Sequence, residues 1–93
     1  MTIFWKDRFY DYADILRVGK RNKTEEKSNI YITTICEPKK KKRMSEDMDF
    51  DAATEMLDEF VDAVMRGEDI IVIGKGLAFK KEGKFVGEWN YKE

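Results

Sequence analysis

A chain of 93 residues that is 42% apolar and 40% charged suffices for one small domain with a modest core and a charged exterior. It has no histidine and one cysteine, Cys36, which excludes Ser-His and Cys-His nucleophile pairs, histidine general bases, histidine-containing or four-cysteine zinc sites and internal disulfides. The formal net charge of −1 hides sorting along the chain: twelve Lys/Arg face six Asp/Glu in residues 1–44, one faces ten in 45–69, and five face three in 70–93.

Residues 7–18 satisfy two periods at once. Phe9, Tyr12, Ala13 and Leu16 form a helical stripe that Gly19 would close, whereas Tyr12, Leu16 and Val18 form one face of a strand. Residues 20–28 are polar, lack apolar anchors and read as a mobile loop. Residues 29–37 are rich in β-branched and aromatic side chains and predict a strand that Pro38 ends. A basic loop follows, and then residues 43–50 predict a further strand with Met44, Met48 and Phe50 inward.

The clearest element is a helix over residues 52–66. Phe50, Ala53, Leu57, Phe60, Val61, Val64 and Met65 recur at three- and four-residue steps and predict its apolar stripe. Asp51 is the expected N-cap, and Gly67 the left-handed stop after Arg66. Residues 70–73 predict a short buried strand, Gly74 to Gly76 a turn or bulge, and residues 81–84 a hairpin turn before an alternating strand, 85–91. Together these predict an α+β fold: a small antiparallel sheet of four to five strands with the helix packed on one face.

Two charge features carry the functional expectations. Lys39, Lys40, Lys41, Lys42 and Arg43 form a run that attracts phosphate by Coulomb force and counterion release, without reading sequence. Behind Pro38 the run also has the form of a nuclear import signal, and its plainest role is a solvated turn that keeps a sheet edge from aggregating. Along the helix, Asp51, Glu55, Asp58 and Asp62 recur at steps of four, three and four, with Glu59 beside them. Carboxylates so placed stand about 5–6 Å apart and repel by only a few tenths of a kcal/mol per pair. That cost is small enough for an ordinary solvated face.

Other patterns fail on geometry. Asp47, Asp49, Asp51, Glu55 and Asp58 imitate the spacing of a calcium loop, but Ala52 stands where that loop needs glycine. Asp69, Glu82 and Lys84 have the residue types of a metal-dependent nuclease, yet Glu82 and Lys84 straddle a predicted turn. Gly74-Lys75-Gly76 lacks the spacing of a phosphate loop, and Cys36 sits in an isoleucine-rich strand that favours packing over reactivity.

The leading expectation is therefore a non-enzymatic protein-binding modulator or inhibitor, of the small kind that viruses and mobile elements encode. Asp51, Glu55, Asp58, Glu59 and Asp62 would meet a protein partner with a basic surface, helped by aromatics in excess of what one small core hides. The alternative is a nucleic-acid-binding module using Lys39, Lys40, Lys41, Lys42 and Arg43, further cations such as Lys20, Arg21 and Lys23, and stacking aromatics. No metal, cofactor or membrane is expected, because the longest apolar run, 70–73, is far below the roughly 20 residues of a span. A homodimer is compatible with either reading. The N-terminal residues lack a signal-peptide core, which suggests an intracellular protein, cytoplasmic or, in a eukaryotic host, nuclear.

Overall fold

The computed structural model describes residues 1–91. In the N-terminal stretch, where two periods competed, the chain is extended. Strands β1 (Thr2–Trp5) and β2 (Arg8–Asp11) form an antiparallel hairpin whose turn holds Lys6 at φ +53°. The Asp11 carboxylate then accepts the Ala13 N–H and caps a single 3-10 turn, Tyr12–Asp14, that leads into β3 (Ile15–Asn22). A helix there would bury Phe9 and Leu16 on one stripe, whereas both side chains are exposed. The Tyr12 hydroxyl instead donates to the Glu68 carbonyl at 2.5 Å, and burial, with Asp69 and Glu68 nearby, raises its pKa far above the usual phenol range.

The remaining strands are β4 (Ser28–Thr34), β5 (Lys42–Arg43), β6 (Asp69–Ile73), β7 (Gly76–Lys81) and β8 (Lys84–Trp89). They fall into two sheets, a five-stranded one in the order β2-β1-β6-β7-β8 and a three-stranded one in the order β3-β4-β5. Every pairing is antiparallel except β1 with β6. The fold is α+β with one packed helix, and its strands serve two sheets because the chain leaves the larger sheet after β2. Strand β4 stops at Thr34, so Ile35 and Cys36 are exposed and Cys36 is not a packing residue.

Of the strand expected over 43–50, only Arg43, with Lys42 before it, is ladder-bonded to β4. Beyond it, Met44 donates to the Ile30 carbonyl and Met48 exchanges backbone bonds with Ser28. Met44 and Met48 are buried as expected, but Phe50 is half exposed, because it opens the helix on its solvent side.

Helix α1 runs Phe50–Arg66. Its N-cap is Asp49, not Asp51: Asp49 keeps an extended backbone and accepts the Ala52 N–H at 2.8 Å, while Asp51 already lies in the first turn. At the other end Gly67 adopts φ +72°, and the Gly67 and Glu68 N–H groups return to the Val64 and Ala63 carbonyls. A side chain at that backbone angle is strained, which is why glycine stops the helix.

The buried face is Ala52, Ala53, Met56, Phe60 and Ala63, rotated from the expected stripe, so that Val61 and Met65 stand in solvent. Three alanines let the helix approach closely. Phe60 and Met56 then fill the space between Ile3, Ile70, Leu77 and Phe79 of the large sheet and Ile30 and Ile32 of the small one. No helix among the described residues is long and apolar enough to cross a membrane.

This packing predicts a contrast. Phe60→Ala removes a fully buried ring that serves both sheets and should cost about 3–5 kcal/mol in urea unfolding. Met65→Ala should change stability by no more than about 0.5 kcal/mol.

Candidate anion-binding cleft

Strand register decides which cations converge. Residues directly opposite in an antiparallel ladder point to the same face. Arg17 lies opposite Thr33, Gly19 and Arg43 opposite Tyr31, and Arg21 opposite Asn29, while Ile30 and Ile32 face the core and helix α1. Arg17, Arg21, Tyr31 and Arg43 therefore occupy the face of the small sheet away from the helix.

Gly19 is required there. A Cβ on it would stand 2.7 Å from the Tyr31 hydroxyl oxygen, so the ring lies across β3 in the space a side chain would fill. The Lys41 ammonium sits 4.9 Å from the centre of that ring.

Arg8 and Tyr10 of β2, Arg21 of β3, and Lys40, Lys41, Lys42 and Arg43 line a cleft of about 400 Å³. The Arg8 guanidinium donates to the Arg43 carbonyl at 3.2 Å, which joins the hairpin of the large sheet to the edge of the small one. Lys42 bonds Glu37 at 2.8 Å and stands 5.5 Å from the Tyr10 ring, while Lys40 lies 3.7 Å from the same carboxylate. The hydrogen bond from Lys42, then the charge of Lys40, holds the Glu37 carboxyl below its usual range, and Glu37 in turn raises Lys42.

Arg43 pairs with Asp47 at 2.9 Å and donates through Nε to the Ser45 carbonyl. Arg8, Arg21 and Lys41 have no carboxylate partner among the described residues. The cleft can thus neutralise phosphate or another anionic group with three cations that no carboxylate among the described residues pairs.

Four of the five cations expected from the basic run line this cleft, and Lys39 is exposed outside it. Of the accessory cations, only Arg21 joins. Lys20 turns to the helix side, bonding the Thr54 hydroxyl at 2.7 Å over the Phe50 ring, and Lys23 pairs with Asp47 at 3.3 Å. Arg8 and Tyr10 were not anticipated, although their spacing of two would have placed them on one face had the strand reading of that stretch been taken. Of the aromatics, Tyr10 lines the cleft, half-buried and 5.5 Å from the Lys42 ammonium. Trp5, Tyr31 and Trp89 are buried, and the exposed rings, Phe4, Phe9, Phe50 and Phe85, lie elsewhere.

The acidic ladder forms as expected on the helix, with Asp51, Glu55, Asp58 and Asp62 exposed and Glu59 half-buried. Glu55 accepts the Trp89 indole N–H at 2.9 Å, so it is partly structural. Among the described residues no ion pair joins the ladder to residues 39–43. Asp47 and Asp49 serve structure instead of a metal loop: Asp47 accepts from Asn29 and Arg43, and Asp49 caps the helix and accepts the Tyr91 hydroxyl.

Two predictions follow from this geometry. Gly19→Ala should destabilise by roughly 1–3 kcal/mol, and less than additively with Tyr31→Ala, because removing the ring relieves the clash. The Asp47 carboxyl is held low by the Asn29 hydrogen bond, then by Lys23 and Arg43. A depressed folded pKa contributes stability above the ordinary carboxylate value and loses it as pH falls through the folded one. The stability gap between wild type and Asp47→Asn should therefore be full at neutral pH and shrink below about pH 4. A gap that stays constant down to about pH 2 contradicts that assignment.

Comparison of the chain with protein families, with curated proteins and with solved structures finds no match.

Proposed function

We propose that the protein is a nucleic-acid-binding module that holds the phosphate backbone in the cleft formed by Arg8, Arg21, Lys40, Lys41, Lys42 and Arg43. The observation that carries this reading is the convergence of Arg8, Arg21 and Lys41, from three separate stretches of chain, with no carboxylate partner among the described residues. Guanidinium groups suit phosphate because their planar donors meet two oxygens at once. The pI of about 5.6 does not oppose it, since Asp51, Glu55, Asp58, Glu59 and Asp62, the densest group of acids in the chain, sit on the helix, across the small sheet from Arg21 and Arg43. With Tyr10 half-buried in the cleft wall and Phe4, Phe9, Phe50 and Phe85 lying elsewhere, binding is mainly electrostatic and indifferent to base sequence.

The protein-partner reading retains one observation in its favour. Asp51, Asp58 and Asp62 are exposed together on the helix, where a basic protein surface would meet them. This is a second, separate surface, and the two readings do not compete for residues.

Fluorescence anisotropy with a labelled single-stranded oligonucleotide tests the proposal. Three phosphate contacts give a log–log salt slope of about −2, so affinity should fall roughly 10- to 20-fold between about 50 and 200 mM salt. Exchanging Arg8, Arg21 and Lys41 for glutamine should abolish binding, while Asp58→Asn with Asp62→Asn should leave the slope unchanged. No binding at low salt, or a triple variant that binds as wild type does, overturns the reading.

A further inference from the structure

One face of the five-stranded sheet is covered by α1, and no helix among the described residues covers the other. Register places Phe9, Phe4, Ile71 and Ala78 in one line across β2, β1, β6 and β7, ending at Glu88 of β8. The next line on that face runs Asp11, Thr2, then Asp69, Lys80 and Phe85. Residues of the opposite parity, Ile3, Ile70 and Phe79, join the core with the helix, so both lines face away from it; on that outer face Ile71 is half-buried and the small Ala78 is buried between its neighbours. Phe4 is 41% exposed, Phe9 63%, Ile73 63% and Phe85 68%. Taking each such side chain at roughly 150–250 Å², this is on the order of 500 Å² of exposed apolar surface, at the upper end for a monomer.

We infer that this face is the contact surface of a homodimer, in which two copies pack sheet to sheet about a two-fold axis parallel to the strands. Such an axis lays β2 of one copy over β8 of the other, because these strands are the two edges of the sheet. The edges match in shape. Phe9 projects from β2, and over β7 and β8 a hollow of about 420 Å³ is lined by Ala78, Phe85, Gly87 and Glu88.

Charge matches beside the edges. The same operation lays Asp11 of each copy over Phe85 of the other, one strand from Lys80, since all three lie in the second line. Two such faces bury roughly 1,000 Å² in all, the lower bound for a specific interface, so the dimer is weak. Edge-to-edge pairing is the poorer use of this sheet. Strand β2 has four residues, and β8 pairs with β7 through a register shift at Phe79 and Lys80, features that blunt an edge. The cleft is not part of this face, so association and nucleic-acid binding are separable.

Sedimentation velocity on the full chain, from about 1 μM to about 1 mM, tests the inference. The weight-average mass should rise from 11.0 kDa toward twice that value. Phe9→Asp, folded by circular dichroism, should weaken association at least tenfold, as should Ala78→Trp, which fills the hollow. Asp11→Lys and Lys80→Asp should each weaken it, and the double exchange should restore it, which a purely structural role for either residue would not produce. A mass that stays at 11.0 kDa throughout overturns the inference, as does a double exchange no better than its single components. So does a mass climbing beyond the dimer, which signals open-ended association through another surface.

Discussion

One helix must cover two sheets, and the rest of the molecule follows from that constraint. Phe60 and Met56 are fully buried between them, each contributing about 1.5–3 kcal/mol of transfer free energy, and Ala52, Ala53 and Ala63 admit the close approach this requires. With its apolar face so occupied, α1 turns its carboxylates outward. The small sheet, whose Ile30 and Ile32 are pulled to the helix, must turn Arg17, Arg21 and Arg43 the other way. The charge sorting visible along the chain thus becomes sorting in space.

Magnitudes decide whether the two charged surfaces cancel. The molecule measures 39 × 33 × 23 Å along its principal axes. The Debye length at physiological ionic strength is about 8 Å, so charges on opposite sides of even the shortest dimension are screened from one another. Neutralisation inside the cleft is local, from Glu37 and Asp47 on the same connecting segment. Of these, the exposed Lys40–Glu37 pair adds little to stability. Arg8, Arg21 and Lys41, with no carboxylate partner among the described residues, remain available to a ligand.

The readable parts of the sequence were those governed by local chemistry. Gly67 stopped the helix, the glycine-bearing turn at 81–84 made a hairpin, and the α+β class followed from one strong helix among strands. The N-cap lies two residues before the expected one because the Asp49 and Asp51 carboxylates are chemically equivalent acceptors, and only backbone geometry selects between them. The expected stripe holds Ala53 and Phe60, which are buried, but also Val61 and Met65, because hydrophobicity outranks size in such a pattern. The close approach to two sheets favours the alanines, which a hydrophobic pattern undervalues. Arg8 and Tyr10 were invisible as site residues because the parallel pairing of β1 with β6 and the separate sheet of β3 bring distant segments together, and neither leaves a local signature. The basic run itself was plain, and which of its partners completed the cleft was a property of register alone.

Mapping backbone amide shifts by NMR during titration with a short single-stranded oligonucleotide addresses the central claim most directly, because it reports the face as well as the event. Shifts should concentrate at Arg8, Arg21 and residues 40–43, with the outward face of α1 unmoved. Shifts centred on Asp51, Asp58 and Asp62, or none at low salt, would contradict it.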